Sequence, residues 1–538
     1  MFKDDFYKLS QDKKRKFLQN IQNLLQQNQF DEAKKYLHNQ SVSTLIDDKH
    51  EPFPLSDIQE SFSVGKFIGR GIDNVGCHAY FEIQEYNLDV KLLKETWNQL
   101  LQYHEMLQVV VLPNRTQQVL QHVPEYDFKV YDVRGKNTKD ITQHFNEVRD
   151  KISHKVYREN EWPLFEICIT KMDNNEYIIH FSIDEWIVDG FSISLLFKQW
   201  YNLYKNPKVE LDKINFSFRE YVEAKKEDED SWRFKRDLSY WMEKYSDIPA
   251  GPNLPWKVPS KKIGEKDYFF RKRYQHVIKK EDWDKLKEAS QFLGVSQTVM
   301  LITCFSELLS YWSESEKYSI IFTYFNRVPI HEDIDKVVGP FVSTNIFTID
   351  NPDTLTIKEK AKNYQQTIWD DLDHSSVSGI KALREIRLRD KKAPNLSIPI
   401  VFTSMLNNAG KEAEGSWLEK IVYSISQTPQ VCLDHQVYEQ DGNLNICWDV
   451  IEEYFEANTI QEIFSSYIQV IQNLARDNKL WDITSLKEVI DSNRRYSEGK
   501  FKKLSSPSNS AKQNEKFVIS DMQQSNVYAR SKDNKGCR

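Results

Sequence analysis

Residues 178–200 read IIHFSIDEWIVDGFSISLLFKQW, and the chain is best understood outward from them. Ile178 to Ile183 is a short apolar run, the pattern of a buried strand, and from Ser192 onward apolar residues return at helical spacing. The turn between strand and helix carries Asp184, Asp189, Gly190 and Ser192. Such a turn can hold polar side chains rigidly at the floor of a cleft, so it is a candidate site. The same residues also fit a purely structural role. Asp and Ser accept hydrogen bonds from the free N–H groups of a helix's first turn, and on this segment alone capping is the commoner outcome.

The chain has 538 residues, too many for one ordinary domain, and two lobes are expected, with length enough to bury a large core. Thirteen Trp and twenty-six Tyr argue for a folded, enzyme-sized body. The formal charge is −7, mild for this length, and no basic face with interleaved aromatics is visible, which argues against nucleic acid as a partner. Six cysteines stand without a CxxC pair or a His at metal spacing, so they read as reduced, buried side chains, with no metal site. The first residues lack the apolar stretch of a signal peptide and no window approaches a membrane span, so the expectation is a cytoplasmic protein.

Residues 1–50 carry two short amphipathic patterns, with Phe17, Leu18, Ile21, Leu24 and Leu25 on one helical face. They read either as a helical collar or as a docking element. Residues 51–247 form the expected N-terminal lobe: Pro52 and Pro54 fix an extended start, and Ser56 can cap the helix that follows. Strand-like CHAYFEI, a helix over 90–101 and the strand VVVL then suggest an α/β lobe with a mixed sheet. Residues 248–258 contain IPAGPNLPW, which can continue neither a helix nor a central strand and reads as the linker. Residues 259–486 form the expected C-terminal lobe, with helices from about 281 and around 295–309, a β-rich run at 398–404, the strand LNICWDV and a helix over 457–474. Residues 487–538 lose apolar periodicity and carry more Lys and Arg than Asp and Glu, a composition expected to be disordered.

Asp184, Asp189 and Ser192 match DxxxxDxxS, which resembles the signature of heterocyclization domains of nonribosomal peptide synthetases, members of the condensation-domain superfamily. Ordinary condensation domains carry HHxxxDG there; here the two His positions are Asp184 and Glu185, and His180 on the preceding strand reads as structural. Phe53, Pro54, Leu55, Gln59, Phe62 and Gly65 resemble FPLTxxQxAYxxGR, and His104, Met106 and Leu107 resemble RHxMLR with Tyr103 in the Arg place. The linker resembles LPxxPxLPL. Later come FTS at 402–404, SQTPQVCLDHQVYE at 426–439 and WDxxExxF from Trp448 to Phe455. One element departs: the family's GDFT is Gly339, Pro340, Phe341 and Val342, nearer the ordinary condensation form.

The resemblance implies an α/β fold of two chloramphenicol-acetyltransferase-like lobes forming a V-shaped pseudodimer with a central tunnel. It implies donor and acceptor peptidyl or aryl carrier proteins as partners, besides other synthetase subunits. Their phosphopantetheine arms would present the substrates, with no cofactor of the chain's own. The implied reaction joins a carrier-bound acyl thioester to carrier-bound Cys, Ser or Thr and closes a thiazoline or oxazoline, as in siderophore biosynthesis. Amide formation without cyclization, and a catalytically silent carrier-docking module, are the alternatives. Carried over residue by residue, the cyclodehydration pair falls on Asp434 and Thr403. Asp184, Asp189 and Ser192 form the active-site loop, Asp184 nearer the reactants and Ser192 as a cap. His435, Gln436, Gln430 and Ser404 are expected to support the pair. Without the resemblance, Thr403 and Asp434 read as strand-edge residues.

Overall fold

A computed structural model describes residues 49–67, 75–257, 269–313, 315–389, 398–406 and 415–491. The helices expected in residues 1–50 and the tail beyond 491 therefore lie outside the described residues. The strands are, in chain order, β1 (Phe53–Pro54), β2 (His78–Tyr86), β3 (Val109–Val111), β4 (Thr116–Val119), β5 (Lys129–Asp132), β6 (Phe165–Lys171) and β7 (Glu176–Asp184), then β8 (Lys272–Ile278), β9 (Lys317–Phe325), β10 (Val342–Asp350), β11 (Ile400–Ser404), β12 (Ile421–Gln427), β13 (Leu433–Gln440) and β14 (Asn443–Val450). The longer helices are α1 (Asp57–Phe67), α2 (Val90–Tyr103), α3 (Thr138–Ile152), α4 (Gly190–Lys205), α5 (Phe218–Glu227), α6 (Trp232–Lys244), α7 (Lys280–Leu293), α8 (Gln297–Ser313), α9 (Ile357–Asp373), α10 (Gly379–Arg389) and α11 (Thr459–Arg476).

Two mixed sheets organise the molecule, in the orders β12-β2-β7-β6-β5 and β10-β9-β11-β13-β14-β8. The strand expected at 178–183 is β7, at the centre of the first sheet. Its apolar residues face both ways because helices cover both faces. On one side Trp97 of α2 lies 5.2 Å from Phe165, 5.4 Å from Phe181 and 5.0 Å from Trp200 of α4, ring centre to ring centre. On the other, Arg149 of α3 forks onto Glu82 at 2.6 and 2.7 Å. There His180 sits fully buried between Tyr80 and Thr170, and burial lowers its pKa to about 4. His180 is thus a core residue.

The second lobe packs α7, α8 and α11 on one face of its sheet, where Phe305, Trp448, Phe464 and Tyr467 are all buried. The linker packs against this lobe: Ala250 accepts from Ser319 N–H at 2.9 Å, Leu254 is buried, and Trp256 lies 4.6 Å from Phe455. The second core also extends past 486, since Ile490 is fully buried in it.

The lobes exchange a strand. Residues 421–427, read from the sequence as part of the C-terminal lobe, form β12 and pair antiparallel with β2 of the first sheet. A sheet edge exposes unpaired N–H and C=O groups, and β12 covers that edge of β2. Trp417 anchors the crossover, fully buried 5.0 to 5.9 Å from Tyr201, Tyr204 and Trp200. No single helix among the described residues is long and apolar enough to cross a membrane.

Candidate active site

Side-chain alternation along β13 sorts the candidate residues onto two faces of the second sheet. The pairing aligns Phe402, His435, Trp448 and Tyr274 in one row across β11, β13, β14 and β8, and Val401, Asp434, Asp449 and Arg273 in the next. The first row faces the helices: His435 stacks 4.5 Å from Phe402 and lies 4.7 Å from Phe305 and 5.1 Å from Tyr467. The second row faces β12. Thr403 pairs with Gln436 and shares the face of Asp434, as its diagonal neighbour on the adjacent strand.

Asp434 is 8 % exposed. One carboxylate oxygen, Oδ2, accepts from Gln436 Nε2 at 2.8 Å and Ser426 Oγ at 3.4 Å, whereas Oδ1 is buried without a partner. Burial, and then the charge of Asp449 on the next strand, push its pKa up to about 6, against hydrogen bonds from Gln436 and Ser426 and the charge of Arg273. Asp449 is forked by Arg273 at 2.7 and 2.5 Å and accepts from both the N–H and the hydroxyl of Ser426, at 3.0 and 2.9 Å. The result is a carboxyl group able to take and give a proton near neutrality, with one oxygen held by hydrogen bonds and the other buried and unpaired.

The loop after β7 approaches this face from the first lobe. Asp184 is buried and its Oδ1 accepts from Trp186 N–H at 2.9 Å, shaping the turn. Glu185 is partly exposed, and its Oε2 accepts from the Cys77 thiol at 3.0 Å. Its pKa is pushed up to about 7, by burial first and then by the charges of Asp434, Asp184 and Asp189, so Glu185 shares a field with Asp434. Cys77 in turn lies 3.8 Å from Thr428, just beyond β12.

Asp189 and Ser192 form a latch between the lobes. Asp189, not Ser192, caps α4: its Oδ1 accepts from Ser192 N–H at 2.7 Å, while its Oδ2 accepts from Phe341 N–H at 3.0 Å. The Ser192 hydroxyl donates to Gly339 O at 2.9 Å and accepts from Gly339 N–H at 3.1 Å and Arg327 at 2.9 Å. Arg327 lies 3.5 Å from Asp189, between the rings of Phe191 and Phe341. Ser192 as a cap is thereby corrected: it occupies the third position of the helix, where its hydroxyl is free to bridge to the 339–341 segment.

Three expected supporting residues are also displaced. His435 follows Asp434 in sequence but points to the opposite face, where neither ring nitrogen has a hydrogen-bond partner and burial lowers its pKa to about 3. Ser404 pairs its hydroxyl with Thr298 of α8 at 2.7 Å, on the helical side. Gln430 is exposed in the turn before β13, with φ +65°. Gln436 does touch Asp434. Period-two alternation accounts for each displacement on the strands, because adjacent residues face opposite ways. Sequence reading missed Asp449, Arg273, Ser426 and Glu185 as parts of one site. Asp449 was visible within WDxxExxF, but Arg273 carries no local signal, since it enters only through pairing of β8 with β14.

Two α/β lobes, an exchanged strand and a carboxylate site between their sheets define a chloramphenicol-acetyltransferase-like scaffold. A condensation-domain profile matches residues 49–486, and the chain belongs to the condensation-domain family. Bacitracin synthase 1 of Bacillus licheniformis is 30 % identical over 426 residues, covering 79 % of this chain and 8 % of that protein. Pyochelin synthetase PchF of Pseudomonas aeruginosa is 27 % identical over 434 residues, 80 % of this chain and 24 % of the relative. Phenyloxazoline synthase MbtB of a Mycobacterium species is 28 % identical over 438 residues, 81 % and 36 % respectively. The chain thus spans little more than a third, at most, of these relatives. Among solved structures, the EpoB NRPS cyclization-docking bidomain from Sorangium cellulosum superposes with a TM-score of 0.73 at 29 % identity, covering 81 % of this chain and 87 % of that one.

Proposed function

We propose that the chain condenses a carrier-bound acyl thioester with carrier-bound Cys, Ser or Thr and then closes the amide to a thiazoline or oxazoline. The observation that carries this reading is Asp434: a buried carboxyl with a pKa near 6 and one oxygen without a hydrogen-bond partner, on the same sheet face as Thr403. Relatives named for pyochelin and phenyloxazoline synthesis, and a superposable cyclization domain, support it.

The chemistry requires three steps. The amine attacks the thioester, forming the C–N bond and releasing the carrier thiol. The side-chain thiol or hydroxyl then adds to the amide carbon, its proton passing to the former carbonyl oxygen. Finally the C–O bond breaks, the nitrogen gives up its proton, and water leaves as the C=N bond forms. In the last step one group can take the nitrogen's proton and deliver it to the departing hydroxyl, and Asp434 has the proton affinity for both. Thr403 orients the hydroxyl-bearing intermediate by a hydrogen bond. Phosphopantetheine arms entering between the lobes hold amine and thioester together, a proximity worth up to about 7–11 kcal/mol. Donor and acceptor carrier proteins are the partners this requires. Asp189, Ser192 and Arg327 tie the first-lobe loop to the 339–341 segment.

The test loads one carrier with a panel of benzoyl and aminoacyl thioesters and a second with Cys, Ser or Thr, then reads the carrier-bound products by intact mass. The expected product has lost one water more than the amide. Amide alone across the panel overturns cyclization, and carrier binding with no product at all overturns an enzymatic role. Asp434→Ala is expected to leave the amide and abolish the ring.

A further inference from the structure

The row that contains Asp434 continues across two more strands, and its outer members are not explained by stability alone. Asp449 lies directly opposite Asp434 and Arg273 directly opposite Asp449, so two carboxylates and one guanidinium stand side by side on the face toward β12. Placing two carboxylates on adjacent strands costs free energy through like-charge repulsion. The arrangement satisfies them unequally. Asp449 receives Nε and Nη2 of Arg273 and two hydrogen bonds from Ser426, whereas Asp434 receives amide and hydroxyl contacts on one oxygen and leaves Oδ1 unpaired.

We propose that Arg273 and Asp449 are positioning residues for ring closure: the guanidinium fork holds Asp449 beside Asp434, and through Ser426 and Gln436 the pair orients the unpaired oxygen of Asp434 for the reacting centre. This rests on the cyclization reading above. The chain of contacts is continuous: Ser426 hydroxyl bridges Asp449 and Asp434, and Gln436 joins Ser426 at 2.7 Å to Asp434 at 2.8 Å while its carbonyl accepts from Arg273 at 3.4 Å. Arg273 also donates to Ser424 of β12, so the exchanged strand is tied to the same pair. The fork matters because a guanidinium binds both carboxylate oxygens and prevents Asp449 from rotating toward Asp434.

The other titratable groups that share this field are Glu185 from the first-lobe loop, Cys447 of β14, Tyr438 of β13 and Tyr423 of β12. Asp449 raises the proton affinity of Asp434 and Arg273 lowers it. Replacing each therefore moves Asp434 in opposite directions, an effect that loss of fold cannot imitate.

The experiment titrates Asp434 in the full chain by carboxyl carbon NMR on aspartate-labelled protein, with Asp434→Asn identifying the signal. In parallel it records the pH profile of ring closure with the wild-type product pair found above. Asp449→Asn is expected to lower the Asp434 midpoint by about one pH unit, shift the acid limb equally, and slow ring closure at its plateau about 10-fold or more. Arg273→Met is expected to raise the midpoint. Arg273→Lys, which keeps the charge and loses the fork, should leave the midpoint near its wild-type place yet still slow ring closure. Should Arg273→Met not fold, Asp449→Asn and Arg273→Lys decide alone. A midpoint unmoved in Asp449→Asn, or ring closure at the wild-type rate in Arg273→Lys, overturns the assignment. Failure of the wild type to close any ring overturns cyclization instead, and the titration still judges the electrostatic pair.

Discussion

Replacing Asp189 by Ala removes three interactions that converge on one buried carboxylate. The side chain of Asp189 is fully buried, and that of Arg327 is 6 % exposed. Loss of the α4 cap costs about 1 kcal/mol. The buried Phe341 N–H loses its acceptor, worth about 1–3 kcal/mol. Arg327 is left buried beside an empty place, and breaking one side of a buried pair costs about 3–5 kcal/mol. These overlap because one group serves all three, so the expected destabilisation is about 4 kcal/mol rather than their total. Asp189→Ser restores a capping hydroxyl but neither the charge nor the reach to Phe341, and should recover only about 1 kcal/mol. Urea denaturation followed by tryptophan fluorescence measures both variants. Unfolding of Asp189→Ala at the wild-type midpoint would show that this carboxylate does not hold the two lobes together. Full stability with lost amide formation would move Asp189 from the latch to the reactants.

Other expectations follow from the same geometry. Thr403→Val keeps a β-branched residue in β11 and removes only the hydroxyl; ring closure should fall about 100-fold with the denaturation midpoint unchanged, and an unaffected rate removes Thr403 from the step. Asp434 has a folded pKa of about 6, above the unfolded value near 3.9, so its contribution to stability is greatest below pH 4 and is lost as pH rises through 6. Asp434→Asn should accordingly be more stable than wild type at pH 8, by up to about 3 kcal/mol, and equal to it at pH 3.5; a constant difference across that range contradicts the burial argument. His435 is shifted the other way, from 6.5 to about 3, so stability present above pH 6.5 is lost as pH falls towards 3. His435→Phe, placing a ring of similar shape among Phe402, Phe305 and Tyr467, should abolish that acid sensitivity and leave ring closure intact. Loss of ring closure in this variant would return His435 to the site.

Elements whose physics is local are legible in the residues alone. Apolar runs and helical periodicity mark β7, α4, α8, β14 and α11 to within a few residues, because burial of one face or both leaves a period in the chain. The resemblance carried by dispersed motifs pointed to the two-lobed fold and to Asp434 and Thr403 as one site, and the register of β11 with β13 sets both on one face. Tertiary structure decided whatever depends on pairing between distant strands. That β12 leaves its own lobe to edge the first sheet is invisible locally, since an edge strand and a lobe strand have the same alternation. Which neighbours of Asp434 face it was settled by the two-residue period: His435 turns away into the aromatic core, and Gln436 turns towards it. Arg273 and Asp449, 176 residues apart, meet only because β8 and β14 lie side by side, and through their charges the fold helps set where Asp434 holds its proton.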